Sequence, residues 1–195
     1  MNISAVRPMI VINILKLGND AISMESITRS EEIKCYHLAK EAHAGQIDKA
    51  GVDYIKHPLK VAEILIDKFS KKLTKDELGI ACGVALLHDV LEDTKLTQKD
   101  MLDYGIPFCV VSRCEIIRRG EDESYMNFIE RCSADKIVRY VKMADLLHNM
   151  DLTRLNEITD KDLLAAGIDP KEVGWEERAK DEYTVTTKDM VKTAK

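Results

Sequence analysis

The residues best suited to chemistry stand at 88–93, in the run HDVLED. His88 and Asp89 are adjacent, Glu92 follows His88 by four, and Asp93 follows Asp89 by four. On a continuing helix that spacing gathers all four polar groups into one sector. Three carboxylates and an imidazole at the end of an apolar helix are costly to desolvate unless something positive sits among them. A divalent cation meets that need. Alone, the run also fits a capped helix end with a solvated acidic turn. Two further elements change the balance. In YIKHP at 54–58, His57 stands just before Pro58 at the mouth of a helix. The backbone is restricted there, so the imidazole can aim one nitrogen at a fixed place; a lone His-Pro also fits a surface histidine at a helix start. In VKMADLLHNM at 141–150, valine, methionine, alanine and leucines surround Asp145. A buried carboxylate needs a metal, a base or a proton. Asn149 lies one turn later on the same face and Lys142 almost one turn earlier, so an Asp145–Lys142 pair at a helix surface is the competing reading. His148 points elsewhere on that helix and reads as packing.

The elements that must position these residues are helical. Ser30, with Glu31 and Glu32, reads as a cap. Behind it Ile33, Tyr36, His37, Ala39, Ala42 and His43 share one broad face at three-to-four spacing. Residues 45–56 carry two glycines and read as a loop. Pro58 suits the first turn of a helix that continues to about Phe69. Thr74 opens the next, with Asp76 and Glu77 in its first turn and Leu78 to Leu91 as its body. It is apolar on nearly every side from Ile80 to Leu87, which predicts a central, buried helix. Further helices are expected over 97–104 with Gly105 as the stop, from Pro107 to Arg119, from Ser124 to Cys132, and from Ala134 to Leu155. After Asp160 the pattern weakens at Gly167, Pro170 and Gly174. The expected fold class is all-α. One domain is expected at 28–160, with an N-terminal arm at 1–27 and a partly helical extension at 161–195. Met9 to Leu17 is apolar apart from Asn13 and Lys16. It is too short to span a bilayer and has no clear cleavage site, so it reads as a stray strand or docked arm.

Composition narrows the function classes. The chain has 195 residues, 45% hydrophobic and 32% charged, enough for one domain with a real core. Its formal net charge is −5, without long basic runs, which argues against broad nucleic-acid binding. Five cysteines at 35, 82, 109, 114 and 132 form no C-x-x-C pair. Free, buried thiols in a reducing cytoplasm are the expectation.

Together, three stretches resemble the HD phosphohydrolases, and more closely the hydrolase domain of the RelA/SpoT family. They are AHAGQIDKAGVDYIKHPLKVAEIL at 42–65, ALLHDVLEDT at 85–94 and VKMADLLHNM at 141–150. The resemblance covers about residues 30–155 and extends to small stand-alone bacterial HD proteins. It implies an HD-domain helical bundle that removes the 3′-pyrophosphate from ppGpp and pppGpp. It implies metal ligands His57, His88, Asp89 and Asp145, with manganese as the ion, and Glu92 and Asp93 handling the attacking water. It places Lys49 toward phosphate and Asn149 toward sugar or base. Tyr54 and His43 complete the expected substrate-facing set; for His43, at the end of the first helix, a structural hydrogen bond is an equal reading. The expected partner is a small nucleotide, with neither nucleic acid nor membrane.

Two positions depart from the family's pattern: Asp48, where an arginine usually precedes the lysine, and Asp151, which replaces another frequent arginine. Both turn positive to negative near a polyphosphate. They favour a rival reading, an HD phosphohydrolase for another nucleotide. A non-catalytic metal-binding regulatory module is the alternative from a different class. Arg118 and Arg119 could reach a phosphate or simply end a solvated helix.

Overall fold

The computed structural model describes residues 26–154, together with Thr159 and Leu164. The expected arm at 1–27 and extension at 161–195 lie almost wholly outside them. The described chain is helical: α1 (Arg29–Ala42), α2 (Lys56–Phe69), α3 (Lys75–Leu87), α4 (Val90–Asp93), α5 (Gln98–Tyr104), α6 (Phe108–Ile117), α7 (Tyr125–Ala134) and α8 (Lys136–Asn149). Short 3-10 turns follow α2 at Ser70–Lys72 and α8 at Leu152–Arg154. Extended pairing among the described residues is a single isolated bridge, Ile47 to Asp53. The all-α expectation holds. No described helix is long and apolar enough to cross a membrane.

α3 is the axle of the bundle. Every residue from Leu78 to Leu87 is buried, and α1, α2, α6 and α8 all pack against it. A helix surrounded by others has no solvent face, which is why its sequence is apolar all round. Close approach relies on Gly83: a Cβ there would stand 3.1 Å from Val110 Cγ2 and 3.3 Å from Cys35 Sγ. Thr74 caps α3, with Glu77 returning the bond to the Thr74 N–H. Cys35, Cys82, Cys114 and Cys132 are buried free thiols, and Cys109 is half-buried.

The boundaries differ from expectation in ways that have local causes. Thr28, not Ser30, caps α1, because Glu31 stands three residues after Thr28 and closes a capping box. The buried face of α1 is Glu32, Cys35, Leu38 and Ala39, while Ile33 and His37 are exposed. Counting apolar residues misplaced that stripe; the Cys35 side chain meets α3 at Gly83. The central helix stops at Leu87 rather than Leu91, and His88 and Asp89 form a turn before α4. α6 ends at Ile117 and α7 at Ala134. α8 begins after Asp135, whose Oδ1 accepts the N–H groups of Ile137 and Val138. Gly105 ends α5 as expected, at φ 90°.

Candidate metal centre

Three elements converge where α3 ends. α2 brings His57 within its first turn, where Pro58 lacks only an N–H that would have no helical partner. The α3–α4 turn brings His88 and Asp89. α8 brings Asp145, its side chain directed inward. His57 Nε2 lies 3.2 Å from His88 Nε2, 3.3 Å from Asp89 Oδ2 and 3.3 Å from Asp145 Oδ1. His88 Nε2 lies 3.1 Å from Asp89 Oδ2 and 3.7 Å from Asp145 Oδ1.

The donor chemistry of this cluster fits a divalent cation. His88 Nδ1 lies 2.9 Å from the Ala85 carbonyl, so its N–H donates there and leaves Nε2 as a lone pair. With the His57 proton on Nδ1, both Nε2 atoms and both carboxylate oxygens are acceptors aimed at one another. Such a set is stable only with positive charge among its members. An octahedral ion with bonds of about 2.1 Å spaces neighbouring ligand atoms about 3 Å apart. The observed separations are close to that. His57, His88 and Asp89 offer donor atoms mutually within 4.8 Å; Asp145 approaches both imidazoles from the facing helix.

The titration behaviour reports the same demand for a cation. Burial disfavours charge on His57, yet hydrogen bonds and charge from Asp145 and Asp89 outweigh it and raise its pKa to about 9. His88 is raised too: burial opposes its charge, and Asp89 and Asp145 prevail. Burial alone would push Asp89 up, but the two imidazoles hold it down at about 2. Asp145 is held well below the usual carboxylate range despite burial, by His57, His88 and Lys142. A site that draws a proton onto an imidazole in this way can exchange it for a metal ion.

Neighbouring side chains hold the cluster. Asp145 Oδ1 accepts from Asn149 Nδ2 at 2.7 Å and Oδ2 from Lys142 Nζ at 2.8 Å. The Lys142 pairing weighed in the sequence is therefore real, but it lies in a largely buried setting and coexists with the approach to the histidines. Lys142 also sits over the Phe128 ring at 5.1 Å. The Tyr54 hydroxyl lies 2.7 Å from Asp89 Oδ2 and 2.8 Å from Asp93 Oδ2, linking the cluster to the next turn of carboxylates. His43 is buried; its Nδ1 lies 2.7 Å from Gln46 Oε1, and its ring stacks on Tyr54 at 4.6 Å. Gln46 Nε2 in turn donates to the Asp93 carbonyl at 3.1 Å. Glu92 is exposed, with the Arg119 backbone N–H 3.5 Å from its Oε2. Lys49 is exposed on the 45–56 loop.

Thus His57, His88, Asp89, Asp145, Tyr54, Asp93 and Asn149 form one linked constellation, whereas Glu92 and Lys49 are exposed side chains. His43 makes the structural hydrogen bond that was one of its two readings. Sequence reasoning missed Gln46 and His148. His148 is buried, and its Nδ1 lies 2.7 Å from His57 Nδ1. Its position three residues after Asp145 was the available signal, since such residues are neighbours on a helix. The two departures also find local roles. Asp48 Oδ1 accepts from the Ala50 and Val52 N–H groups. Asp151 Oδ1 accepts from the backbone and hydroxyl of Thr153.

A buried His-Asp pair at the end of a central helix, answered by a histidine and an aspartate from flanking helices, defines the HD class of helical domain. The described residues fold as such a bundle. They resemble a solved structure described as a metazoan ortholog of SpoT that hydrolyses ppGpp. The TM-score is 0.57 at 22% identity, over 73% of this chain and 84% of that one, and the likeness bears on the fold. In sequence the chain resembles the RelA/SpoT proteins. It is 33% identical over 145 residues to a GTP pyrophosphokinase of Streptomyces coelicolor, across 70% of this chain and 16% of that protein. It is 33% identical over 127 residues to the bifunctional (p)ppGpp synthase/hydrolase SpoT of Escherichia coli K12, across 60% of this chain and 17% of that protein. This chain thus spans about one sixth of the length of the curated relatives it matches. It matches no family model.

Proposed function

We propose that this chain is a divalent-cation-dependent phosphohydrolase that removes the 3′-pyrophosphate from ppGpp or pppGpp, giving GDP or GTP and pyrophosphate. The observation that carries the reading is the approach of the His57, His88, Asp89 and Asp145 donor atoms to one another, with the Asp93 carboxylate joined to them through Tyr54. His57, His88, Asp89 and Asp145 are the proposed ligands. Two imidazoles and two carboxylates suit Mn²⁺, which accepts both nitrogen and oxygen. When bound, the ion supplies Lewis acidity toward water and a phosphate oxygen.

The chain's own groups do the rest. Either Glu92 or Asp93 accepts the one proton of the attacking water, with Tyr54 holding Asp93 against Asp89. Lys49 offsets charge on the phosphate, and Asn149, bonded to Asp145, contacts the sugar or base. A structural or regulatory metal site has no use for Glu92 and Asp93, and their presence supports hydrolysis over mere binding. Among relatives named for both synthesis and hydrolysis, this carboxylate pair supports the hydrolytic role. The charge reversals at 48 and 151 favour a different nucleotide, but both carboxylates are already engaged by the backbone.

The test is chelation, restoration of Mn²⁺, and incubation with ppGpp beside a panel of nucleoside phosphates. Pyrophosphate and GDP from ppGpp are expected. Phosphate release from another nucleotide alone moves the substrate, and no turnover with metal bound favours the binding module. Glu92→Gln should keep metal and lose about 10²–10⁴-fold in turnover; an unaffected rate removes Glu92 from the reaction.

A further inference from the structure

We propose that His148 is a positioning residue that fixes the ring of His57 and the nitrogen on which it carries its proton. This inference rests on reading the cluster as a metal centre. The two rings come from positions 91 residues apart, on α2 and α8. Their ring centres lie 4.9 Å apart with 23° between the planes, and their Nδ1 atoms are 2.7 Å apart, so the rings meet edge to edge through those nitrogens. His148 is only 8% exposed, so both rings are shielded from competing water.

Proton counting gives the contact its direction. A hydrogen bond between two Nδ1 atoms holds one proton. His57 Nε2 faces His88, Asp89 and Asp145 at 3.2–3.3 Å, and it can bind a cation only as a lone pair. The proton of a neutral His57 therefore sits on Nδ1 and donates to His148. His148 Nδ1 is bare, and its own proton is on Nε2. The two histidines of the cluster are thus held by different means. His88 leans on the Ala85 carbonyl of its own helix. His57 leans on a side chain from α8, three residues after Asp145. One helix supplies a ligand and also orients the ligand opposite it, so the register of α2 against α8 is part of the site. Partners of this kind set ring orientation and basicity in metal centres.

Two variants and one spectroscopic measurement test this on the full chain. His148→Leu retains volume without an acceptor; His148→Asn offers an amide oxygen near the Nδ1 position. In calorimetric titration with Mn²⁺, His148→Leu should bind about 10–100-fold more weakly than wild type. His148→Asn should recover most of the loss. A packing role would not separate the two variants in that order. Long-range ¹H–¹⁵N spectra of the wild type loaded with diamagnetic Zn²⁺, where His57 Nε2 is a lone pair, should show His57 protonated on Nδ1, and His148 bare on Nδ1 and protonated on Nε2. A folded His148→Leu that binds Mn²⁺ like wild type overturns the proposal, as does a proton on His148 Nδ1. If His148→Leu does not fold, the spectra and His148→Asn decide. A wild type that takes up no Mn²⁺ overturns the metal reading and this inference with it; a wild type that binds alongside an equally tight His148→Leu overturns this inference alone.

Discussion

Asp145 and Glu32 are almost equally buried, at 3% and 6% exposure, in the same core. Asp145 faces two imidazoles, an amide and an ammonium group, and its carboxyl stays ionised well below the usual range. The Glu32 carboxyl has no hydrogen-bond partner among the described residues, although its backbone N–H donates to the Thr28 carbonyl. Its Oε1 lies 3.4 Å from where a Cβ on Gly79 would stand. Burial pushes its pKa up to about 7, against only the charge of Arg29. Depth is the same and chemistry is opposite, so partners rather than burial decide whether a buried acid carries charge. The bundle keeps charge at the end of α3, where side chains from three elements meet, and drives it out along the flank where α1 packs.

The strongest way to break this contrast is Asp145→Ala. It removes a proposed ligand and strands Lys142, which is largely buried and paired to it. Mn²⁺ uptake should vanish, and the metal-free protein should lose about 3–5 kcal/mol in denaturant titration, the usual cost of orphaning one partner of a buried pair. Unchanged Mn²⁺ affinity would take Asp145 out of the ligand set.

Glu32→Gln should act in the opposite sense. A carboxyl whose folded pKa is raised contributes stability that is complete below its ordinary value of 4.5 and is lost as pH rises through about 7. The variant should melt like wild type near pH 4.5 and at a higher temperature at pH 8. Identical melting at pH 8 would mean that Glu32 has a compensating partner.

The smallest effect belongs to Asp48, half-buried but satisfied by two backbone N–H groups. Asp48→Ala should cost about 1 kcal/mol of stability and leave Mn²⁺ affinity unchanged. A large fall in Mn²⁺ affinity would show that the 45–56 loop, and not only the helices, sets the cluster.

Much of the fold was readable along the chain because its signals are local. The Thr74 cap, the Gly105 stop and the unbroken apolar run of α3 are consequences of neighbours within a turn or two. Helix ends were less legible where side-chain chemistry overrides apolar periodicity. Thr28 outcompetes Ser30 through a glutamate three residues on, and Asp135 caps the last helix where Ala134 was expected to open it. The HDVLED motif was visible, but its geometry was not: a continuous helix would have carried all four groups, whereas the chain turns at His88 and Asp89.

By itself the sequence determined that helices would form, that α3 would be central, and which polar residues were too expensive to bury without a purpose. Apolar periodicity and capping are properties of short segments, and desolvation cost is a property of residue type. Only the tertiary structure brought His57, His88 and Asp89 together and set Asp145 beside both imidazoles. It alone gave Tyr54 to Asp89 and Asp93 and His148 to His57, and left the Glu32 carboxyl without a partner among the described residues. Those outcomes depend on how α1, α2 and α8 are rotated and registered against α3, which side-chain packing between segments distant in the chain determines.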